Sequence, residues 1–546
     1  MSSSTIMDLA LDGLVLVTAW LHTIASPYAK VEESFNLHAV HDVLMYGVGV
    51  KDLDKYDHFV FSGAVPRTFI GSVLLAWVAT PALHLASFLG FLDNKFDVQV
   101  IVRLTLATLN SLGLCLVRHA VSKHFGRKMG VYYTLITCSQ FHVPFWIGRT
   151  IPNMFALFFV NISTYIFLNR PPRQRPSETR VSATVAVLTF AAAVFRGELA
   201  LYLAPLCLFE LTSRHISLTQ LLKVGVVSGL VSATLTISID SYFWQQPLLW
   251  PEFSGIFFNV VQGKSSEWGV SPPFTYFTSF LPKLLLSALP LSVIGIARSP
   301  QTIAFVSPAF RFVALISFLG HKEWRFIVYV VPIFNVAAAR GLYFLLSPKR
   351  KKRSPTRQKG IGDRIGFLVG ISSIIVNLAF TLLSSYISAA NYPGGEAMRR
   401  FHTLYNPQTV DSPVHVHISN LAAQTGASLF TQQNSLPQWH SDSGVSQNQW
   451  VYNKTEGLSL DYLMSTDSPF THLILEELPP QKVLDRKGWR VVSAINALDR
   501  VMIQPRLLKG ALRSFTKSPS LATLANAFTN VVKVEQPEKV WIAERS

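Results

Sequence analysis

Long runs of apolar residues recur along this chain and restrict the folds open to it. A membrane-crossing helix requires about 20 mainly apolar residues. Hydrophobic residues make up 49% of the 546 positions and charged residues only 14%. The candidate segments are 9–25, 68–92, 98–118, 129–146, 150–169, 181–212 (long enough for two helices), 217–239, 281–297, 302–320, 324–346 and 364–388. The sequence therefore predicts a polytopic α-helical membrane protein with about 11–13 transmembrane helices.

The net charge of +17 indicates how the loops are oriented. In a membrane protein, Lys and Arg concentrate in the cytosolic loops, so the charge does not require a nucleic-acid partner. Basic loops lie at 118–128, 170–180 and 349–359, the last opening with Lys349–Arg353. We expect the segments 26–67, 147–153, 240–280, 321–323 and the chain after 389 on the opposite, luminal side. Full crossings by both 68–92 and 98–118 would give the wrong parity, so we expect one segment among 68–169 to be broken or re-entrant.

Polar stretches divide the chain into three parts. Residues 1–389 form a predicted transmembrane domain with luminal loops 26–67 and 240–280. The helical spacing of apolar residues in 31–44 predicts an amphipathic helix on the bilayer. Residues 390–505 form a predicted small luminal α/β domain. Its β-rich runs are Val414–Ile418, Trp450–Tyr452, His472–Leu475, Val491–Ile495 and Val501–Gln504. Residues 506–546 are a tail whose amphipathic stretch near 519–533 suits an interface.

Charged residues near membrane depth indicate function, because each costs about 2.5–3.5 kcal/mol at a helix centre. The first such cluster holds Glu32 and Glu33, which point about 100° apart on a helix, so that one of them can face a cavity. The alternative is a solvated helix start, where acids are favourable. Asp57 is a reserve carboxylate. His38, His41 and Asp42 do not match a known metal-ligand frame, and no metal is expected.

Three further clusters lie on the same predicted side of the membrane. Arg149 stands beside Pro152, which marks a helix start that can hold an anion. Arg196-Gly197-Glu198 is either a self-neutralising pair or a site. Lys322 and Arg325 are three positions apart, so they can share a helix face and bind a phosphate.

The motifs taken together resemble one family. They are Tyr28–Asn36, Tyr56–His58, Gly63–Phe69, Arg149–Asn153, Lys264–Gly269, His321–Phe326, Tyr392–Gly395 and Ala422–Gly426. Over residues 9–505 they resemble the GT-C polytopic glycosyltransferases that use dolichyl-phosphate mannose, above all the α-1,6 branch that acts on the heptamannosyl lipid-linked oligosaccharide. The resemblance implies an endoplasmic reticulum membrane enzyme with a luminal active site. The resemblance further implies that dolichyl-phosphate mannose is the donor and that the lipid-linked oligosaccharide is the acceptor. Membrane lipid surrounds the transmembrane helices.

The resemblance also implies roles for individual residues. The catalytic base is Glu33, with Glu32 as the close alternative and Asp57 in reserve. The donor phosphate and mannose are bound by Lys322, Arg325, His321, Glu323 and Arg149. The acceptor or cavity wall is formed by Asn36, His58, Arg67, Arg196, Glu198 and Trp268. Dolichyl phosphate is a good leaving group, so neither a metal nor another cofactor is expected.

Two other functions fit parts of the pattern. A sister enzyme that forms an α-1,2 bond, in the same pathway or in glycosylphosphatidylinositol-anchor assembly, would share most of these motifs. A lipid or solute transporter also carries charges within the membrane. The clustering of charges on one side, together with the large luminal loops, favours the transferase.

Overall fold

The structure is a computed structural model that describes residues 3–347, 361–405, 413–437, 439, 450–504, 506, 507, 510, 513 and 531–546. The chain divides into two compact units. We call Met1–Ala25, Phe35–Leu92 and Gln99–Leu382 the membrane unit. We call Ser26–Ser34, Asp93–Val98 and Leu383–Ser546 the sheet unit. The boundary expected at 389 therefore lies near Leu382, and the sheet unit also takes two short earlier pieces. The basic run Lys349–Arg353 lies outside the described residues.

The helices follow the apolar runs. They are α1 (Ser3–Ala25), α2 (Val31–Tyr46), α3 (Ile70–Phe88), α4 (Lys95–Phe125), α5 (Arg127–Ser139), α6 (His142–Trp146), α7 (Pro152–Leu168), α8 (Glu178–Val194), α9 (Ala200–Thr212), α10 (Leu218–Trp244), α11 (Pro251–Ile256), α12 (Leu281–Leu285), α13 (Ala288–Arg298), α14 (Pro300–Ile316), α15 (Val331–Leu346), α16 (Ile361–Ala389), α17 (Pro393–Leu404), α18 (Asn420–Gln424), α19 (Leu460–Leu463) and α20 (Gln481–Lys487).

Fewer helices than expected are long and apolar enough to cross a membrane by themselves. Within the described residues there are 6 of them, in α1, α3, α4, α10, α15 with the turn before it, and α16. The count rises to 7 if the pair Tyr276–Leu285 and Ala288–Arg298, bent by 102°, is one span. Polar turns divide the other apolar runs: residues 129–146 form α5 and α6, and residues 181–212 form α8 and α9. The break in 129–146 falls in the region where parity requires one.

Polar groups and glycines hold the helices of the membrane unit together. Gln140, in the break between α5 and α6, donates to the main-chain oxygen of Leu285 (3.1 Å) and exchanges amide hydrogen bonds with Asn335 on α15. A Cβ added to Gly341 on α15 would lie 1.9 Å from the main-chain oxygen of Leu291 on α13. Small residues allow such a close approach of two helix backbones in a membrane protein.

Helix α2 forms where the spacing predicts it, but the prediction that it lies on the bilayer surface is wrong. All of its positions from 36 to 43 are buried, including the polar ones. The Asn36 amide donates to the main-chain oxygen of Thr150 at 2.8 Å, and His38 Nδ1 lies 2.8 Å from Asp57 Oδ2. Because these polar side chains have partners inside the protein, the helix does not need water on one face.

The strands of the sheet unit are β1 (His415–Ile418), β2 (Val451–Asn453), β3 (His472–Leu475), β4 (Trp489–Asn496), β5 (Arg500–Ile503), β6 (Val532–Glu535) and β7 (Glu538–Arg545). A five-stranded sheet has the order β2-β1-β3-β7-β4, and β5 and β6 form a separate pair. Strands β1, β2 and β3 are parallel, whereas β7 runs antiparallel to β3 and β4. The predicted α/β domain and its five runs are therefore confirmed as β1–β5.

The expected boundary at 505 is wrong because the chain's last strand lies inside this sheet. Ile542 of β7 pairs with Ile474 of β3 and with Ser493 of β4, and it is completely buried. Residues assigned from sequence to a tail, 506–546, therefore include an internal strand. The stretch near 519–533, expected to be interfacial, lies mostly outside the described residues.

Candidate active site

Asn153, at the start of α7, connects three charged turns of the membrane unit. Its side-chain amide nitrogen lies 3.1 Å from Glu198 Oε1, 3.1 Å from the main-chain oxygen of Arg325 and 2.7 Å from the Tyr329 hydroxyl. The Tyr329 hydroxyl donates to the same Glu198 oxygen at 3.2 Å. The clusters at 149–153, 196–198 and 321–326 therefore meet at one place.

Arg196 and Glu198 form an ion pair in the turn between α8 and α9. The Arg196 Nε lies 2.9 Å from Oε1 and 3.1 Å from Oε2 of Glu198. The guanidinium carbon of Arg196 lies 5.4 Å from the centroid of the Phe326 ring. The pair neutralises itself, and Glu198 also joins the network around Asn153, whereas the role of this motif in a site stays a prediction.

The turn at 321–326 is held by hydrogen bonds of its own charged groups. Glu323 accepts from Arg325 at 2.8 Å and lies 3.0 Å from His321 Nε2. Lys322 donates to the main-chain oxygens of Ser271 (3.1 Å) and Leu319 (2.5 Å). The helical turn begins only at Trp324, so the expectation that Lys322 and Arg325 share a helix face is wrong. Burial lowers the pKa of Lys322.

Arg149 is fully buried in the turn before α7. Its guanidinium carbon lies 4.2 Å from the centroid of the Phe145 ring and 5.3 Å from that of Trp146. The Trp146 ring lies 4.5 Å from the ring of Trp324. The 149–153 turn and the 321–326 turn are thus joined by aromatic packing as well as by the Asn153 amide.

A cavity lies beside these turns. Its wall includes Asn36, Arg67, Pro152, Phe195 and Glu252. Burial raises the pKa of Glu252 to about 7 against the opposing effect of Arg196. Burial, and next the charge of Arg196, lower the pKa of Arg67 to about 10. The cavity therefore combines a cation and an acid that both lose hydration on burial.

The sheet unit contains the two candidate bases. Glu33 and Glu32 lie in the first turn of α2, where Glu33 is fully buried and Glu32 is exposed. Glu33 Oε1 accepts from the Lys30 backbone N–H at 3.0 Å, and the Glu33 N–H donates to the Lys30 oxygen at 2.9 Å. This reciprocal pattern caps the helix start. The two glutamates, equivalent in the sequence, thus differ in environment.

Three other candidates lie in different surroundings. Asp57 Oδ2 lies 2.8 Å from His38 Nδ1. His58 is buried against Trp244 at a ring distance of 4.7 Å, and burial lowers its pKa to about 4. Trp268 is 61% exposed on a separate turn. No group of three or more His, Cys, Asp and Glu side chains in the described part of the chain could hold a metal ion.

Sequence reasoning did not select three residues of this site. Asn153 is the last residue of the Arg149–Asn153 motif, Tyr329 lies inside an apolar run, and Glu252 follows Pro251 in the 240–280 loop. Of these three residues, Glu252 alone has a sequence feature that indicates a role. It is an acid directly after Trp250-Pro251, in the loop that follows a long apolar helix.

Sequence comparison identifies the class. Residues 13–432 match the Alg9-like mannosyltransferase family, so the chain belongs to that family. The fold agrees: the crystal structure of ArnT from Cupriavidus metallidurans bound to undecaprenyl phosphate superposes with a TM-score of 0.51 over 90% of this chain and 97% of that chain, at 12% identity. The predicted GT-C fold and the glycosyltransferase class are confirmed.

Three of the similar curated proteins carry the name Dol-P-Man:Man(7)GlcNAc(2)-PP-Dol alpha-1,6-mannosyltransferase. The protein from Drosophila melanogaster is 37% identical over 466 residues, covering 85% of this chain and 63% of its own length. The protein from Arabidopsis thaliana is 33% identical over 84% of each chain. The protein from Saccharomyces cerevisiae is 32% identical over 88% of this chain and 87% of its own. The predicted relationship to the α-1,6 branch is confirmed.

Proposed function

We propose that this mannosyltransferase moves mannose from dolichyl-phosphate mannose to the heptamannosyl dolichyl-diphosphate oligosaccharide. The new bond is α-1,6, and the β-linked donor is inverted by a single displacement. The names of the relatives from fly, plant and yeast support this substrate pair. The reaction takes place in the endoplasmic reticulum membrane, with the active site facing the lumen.

The meeting of the charged turns around Asn153 is the observation that carries the donor site. Direct displacement builds negative charge on the departing dolichyl phosphate, and fixed cations stabilise that charge best in a site that excludes water. Arg149, Lys322 and Arg325 supply the cations. His321 donates to the phosphate oxygens, and Glu323 orients Lys322 or accepts from the mannose hydroxyls.

Glu33 is the proposed base. It takes the proton of the acceptor's primary hydroxyl while that oxygen bonds to the mannose anomeric carbon and the bond to the phosphate oxygen breaks. A positioned base typically contributes about 10²–10⁴-fold to the rate. The burial of Glu33 and the exposure of Glu32 favour Glu33, because a base in water gains little from positioning. Asp57 stays in reserve.

No metal is required in this scheme, because the leaving group is already a phosphate ester and cationic side chains are available to receive its charge. Asn36, Arg196, Glu198 and Trp268 contribute to the cavity or the acceptor site. Turnover that is unaffected by a chelator is expected, and loss of turnover in EDTA that divalent ions restore would contradict metal independence.

Mannosyl transfer by the purified protein tests the proposal. The wild type in lipid nanodiscs receives synthetic dolichyl-phosphate mannose and the heptamannosyl acceptor, and the product is analysed for its linkage. An α-1,6 octamannosyl product is expected. An α-1,2 product, or transport of the lipid without any mannosyl product, would overturn the proposal.

Glu33→Gln and Glu32→Gln form a matched pair in this assay. Both remove one charge from the same helical turn. Glu33→Gln is expected to lower kcat by about 10²-fold or more, as loss of a base does, while Glu32→Gln retains most activity. Equal activity of the two variants, or a larger loss in Glu32→Gln, would reject Glu33 as the base.

A further inference from the structure

Arg67 lies at the wall of the cavity described above, together with Glu252. Its backbone is fixed, since the Trp244 indole donates to its main-chain oxygen at 2.9 Å and Asp240 accepts from the Phe69 N–H at 2.7 Å. Its guanidinium makes no hydrogen bond or ion pair with any residue that the structure describes. Because a partly buried guanidinium without such contacts has lost hydration, the binding of an anion to it is favourable.

The other cations near Asn153 are already engaged. Lys322 donates to two main-chain oxygens, and Arg325 pairs with Glu323. A phosphate that binds either group can use only the N–H groups that these contacts leave over. The Arg67 guanidinium makes no such contact among the described residues, and its planar group can bind two phosphate oxygens at once.

Glu252 lies in the wall of the same cavity. Its Oε2 accepts from the Gly197 N–H at 2.6 Å, and this is its one hydrogen bond among the described residues. Neither Arg67 nor Arg196 forms an ion pair with it within that part of the chain. The second oxygen of the carboxylate is therefore available to accept from hydroxyl groups of a ligand.

On the basis of the proposed function, we infer that Arg67 and Glu252 together bind the mannosyl phosphate group of the donor, Arg67 through the phosphate and Glu252 through the sugar hydroxyls. Both residues line the same cavity, so a ligand that enters it can contact the two side chains together. The raised pKa of Glu252 reduces its repulsion of the phosphate.

Binding of two short-chain probes separates the two roles. Citronellyl phosphate carries only the phosphate, and citronellyl phosphate mannose adds the sugar. Their Kd values are measured on full-length protein in nanodiscs, without acceptor. Wild type is expected to bind the mannosylated probe more tightly than the phosphate alone.

The variants are expected to give different patterns. Arg67→Gln weakens both probes by a similar factor of about 10- to 100-fold, the range for losing a charged hydrogen bond. Glu252→Gln weakens the mannosylated probe by about 10-fold and leaves the phosphate probe unchanged. Arg298→Gln and Glu477→Gln, at exposed positions, are the matched controls and change neither Kd.

Melting temperatures show whether each variant is folded, and Arg67→Lys, which keeps the charge, is expected to recover part of the phosphate affinity. Unchanged Kd values in folded Arg67→Gln, or equal weakening of both probes in Glu252→Gln, would overturn the inference. Binding that follows the expected pattern without mannosyl transfer would reject the proposed function alone. Transfer with normal probe binding in both variants would reject the inference alone.

Discussion

The side-chain amide of Asn153 donates a hydrogen bond to the main-chain oxygen of Arg325, 172 positions later in the chain, at 3.1 Å. The bond attaches the start of α7 to the 321–326 turn through the backbone. It therefore fixes where Arg325 lies without using its guanidinium. The same amide contacts Glu198, so one uncharged side chain positions groups of both signs.

Replacement of Asn153 should disturb the hydrogen bonds that join the three charged turns. In Asn153→Asp the donor is lost and a carboxylate faces Glu198, so we expect kcat to fall by about 10-fold or more, since a charged hydrogen bond contributes about 1.5–3 kcal/mol. Turnover with dolichyl-phosphate mannose and the melting temperature are the measurements. Asn161→Ala is a control on the same helix, because the buried amide of Asn161 has no hydrogen-bond partner among the described residues. If Asn153→Asp retained full activity, the amide would not position the turn.

The pKa of Glu252 predicts a pH-dependent stability. Burial raises it from 4.5 to about 7, so the folded protein holds this proton more tightly than the unfolded chain. The stabilisation is fully present below pH 4.5 and is lost as the pH rises through 7. One pKa unit corresponds to about 1.4 kcal/mol, and solvent screening reduces the total to about 2 kcal/mol.

Melting temperatures from pH 4.5 to 8 test this. Glu252→Gln cannot ionise, so its melting temperature should gain on that of the wild type as the pH rises. Glu477→Gln removes an exposed acid and should follow the wild type across the range. A constant difference between wild type and Glu252→Gln would mean that Glu252 titrates in the folded protein as it does in water.

The sequence predicted the charged turns but not how their members interact. A charged residue inside or beside an apolar run can be recognised from neighbouring residues alone. This feature predicted the turns at 149–153, 196–198 and 321–326. Lys322 could not be placed, because its ammonium is held by main-chain oxygens of Ser271 and Leu319 that carry no sequence signal. Glu252 was missed for a similar reason, since its burial arises only when its loop packs beside Arg67 and Arg196.

The dependence on residues far away in the chain also explains why two sequence-based predictions of the fold are wrong. Helix α2 was recognised from its period, but its burial depends on partners such as Thr150 and Asp57, which lie far along the chain. A short apolar run like that around Ile542 does not by periodicity alone distinguish a strand from other structure. Its position between β3 and β4 is a non-local property of the sheet.

The internal position of β7 makes the last residues important for stability. Ile542 is fully buried between its two neighbouring strands, so Ile542→Ala should cost about 2–5 kcal/mol through lost burial and the cavity left behind. The measurement is the rate at which a protease cleaves the sheet unit in the full-length protein. Lys539→Ala, on the same strand but at a partly exposed position, should cost little. Equal protease resistance of both variants would place β7 outside the core.

The approach of α13 to α15 gives a prediction on helix packing. In Gly341→Ala the new Cβ would lie 1.9 Å from the main-chain oxygen of Leu291, so the helices must separate. Overpacking of this kind costs about 1–3 kcal/mol. Gly225→Ala is the matched control, because its Cβ on α10 meets nothing within 4 Å, and alanine there should be neutral or stabilise by up to about 1 kcal/mol. The melting temperature of Gly341→Ala should therefore fall, while that of Gly225→Ala should stay unchanged or rise. A Gly341→Ala protein as stable as Gly225→Ala would show that α13 and α15 lie farther apart than described.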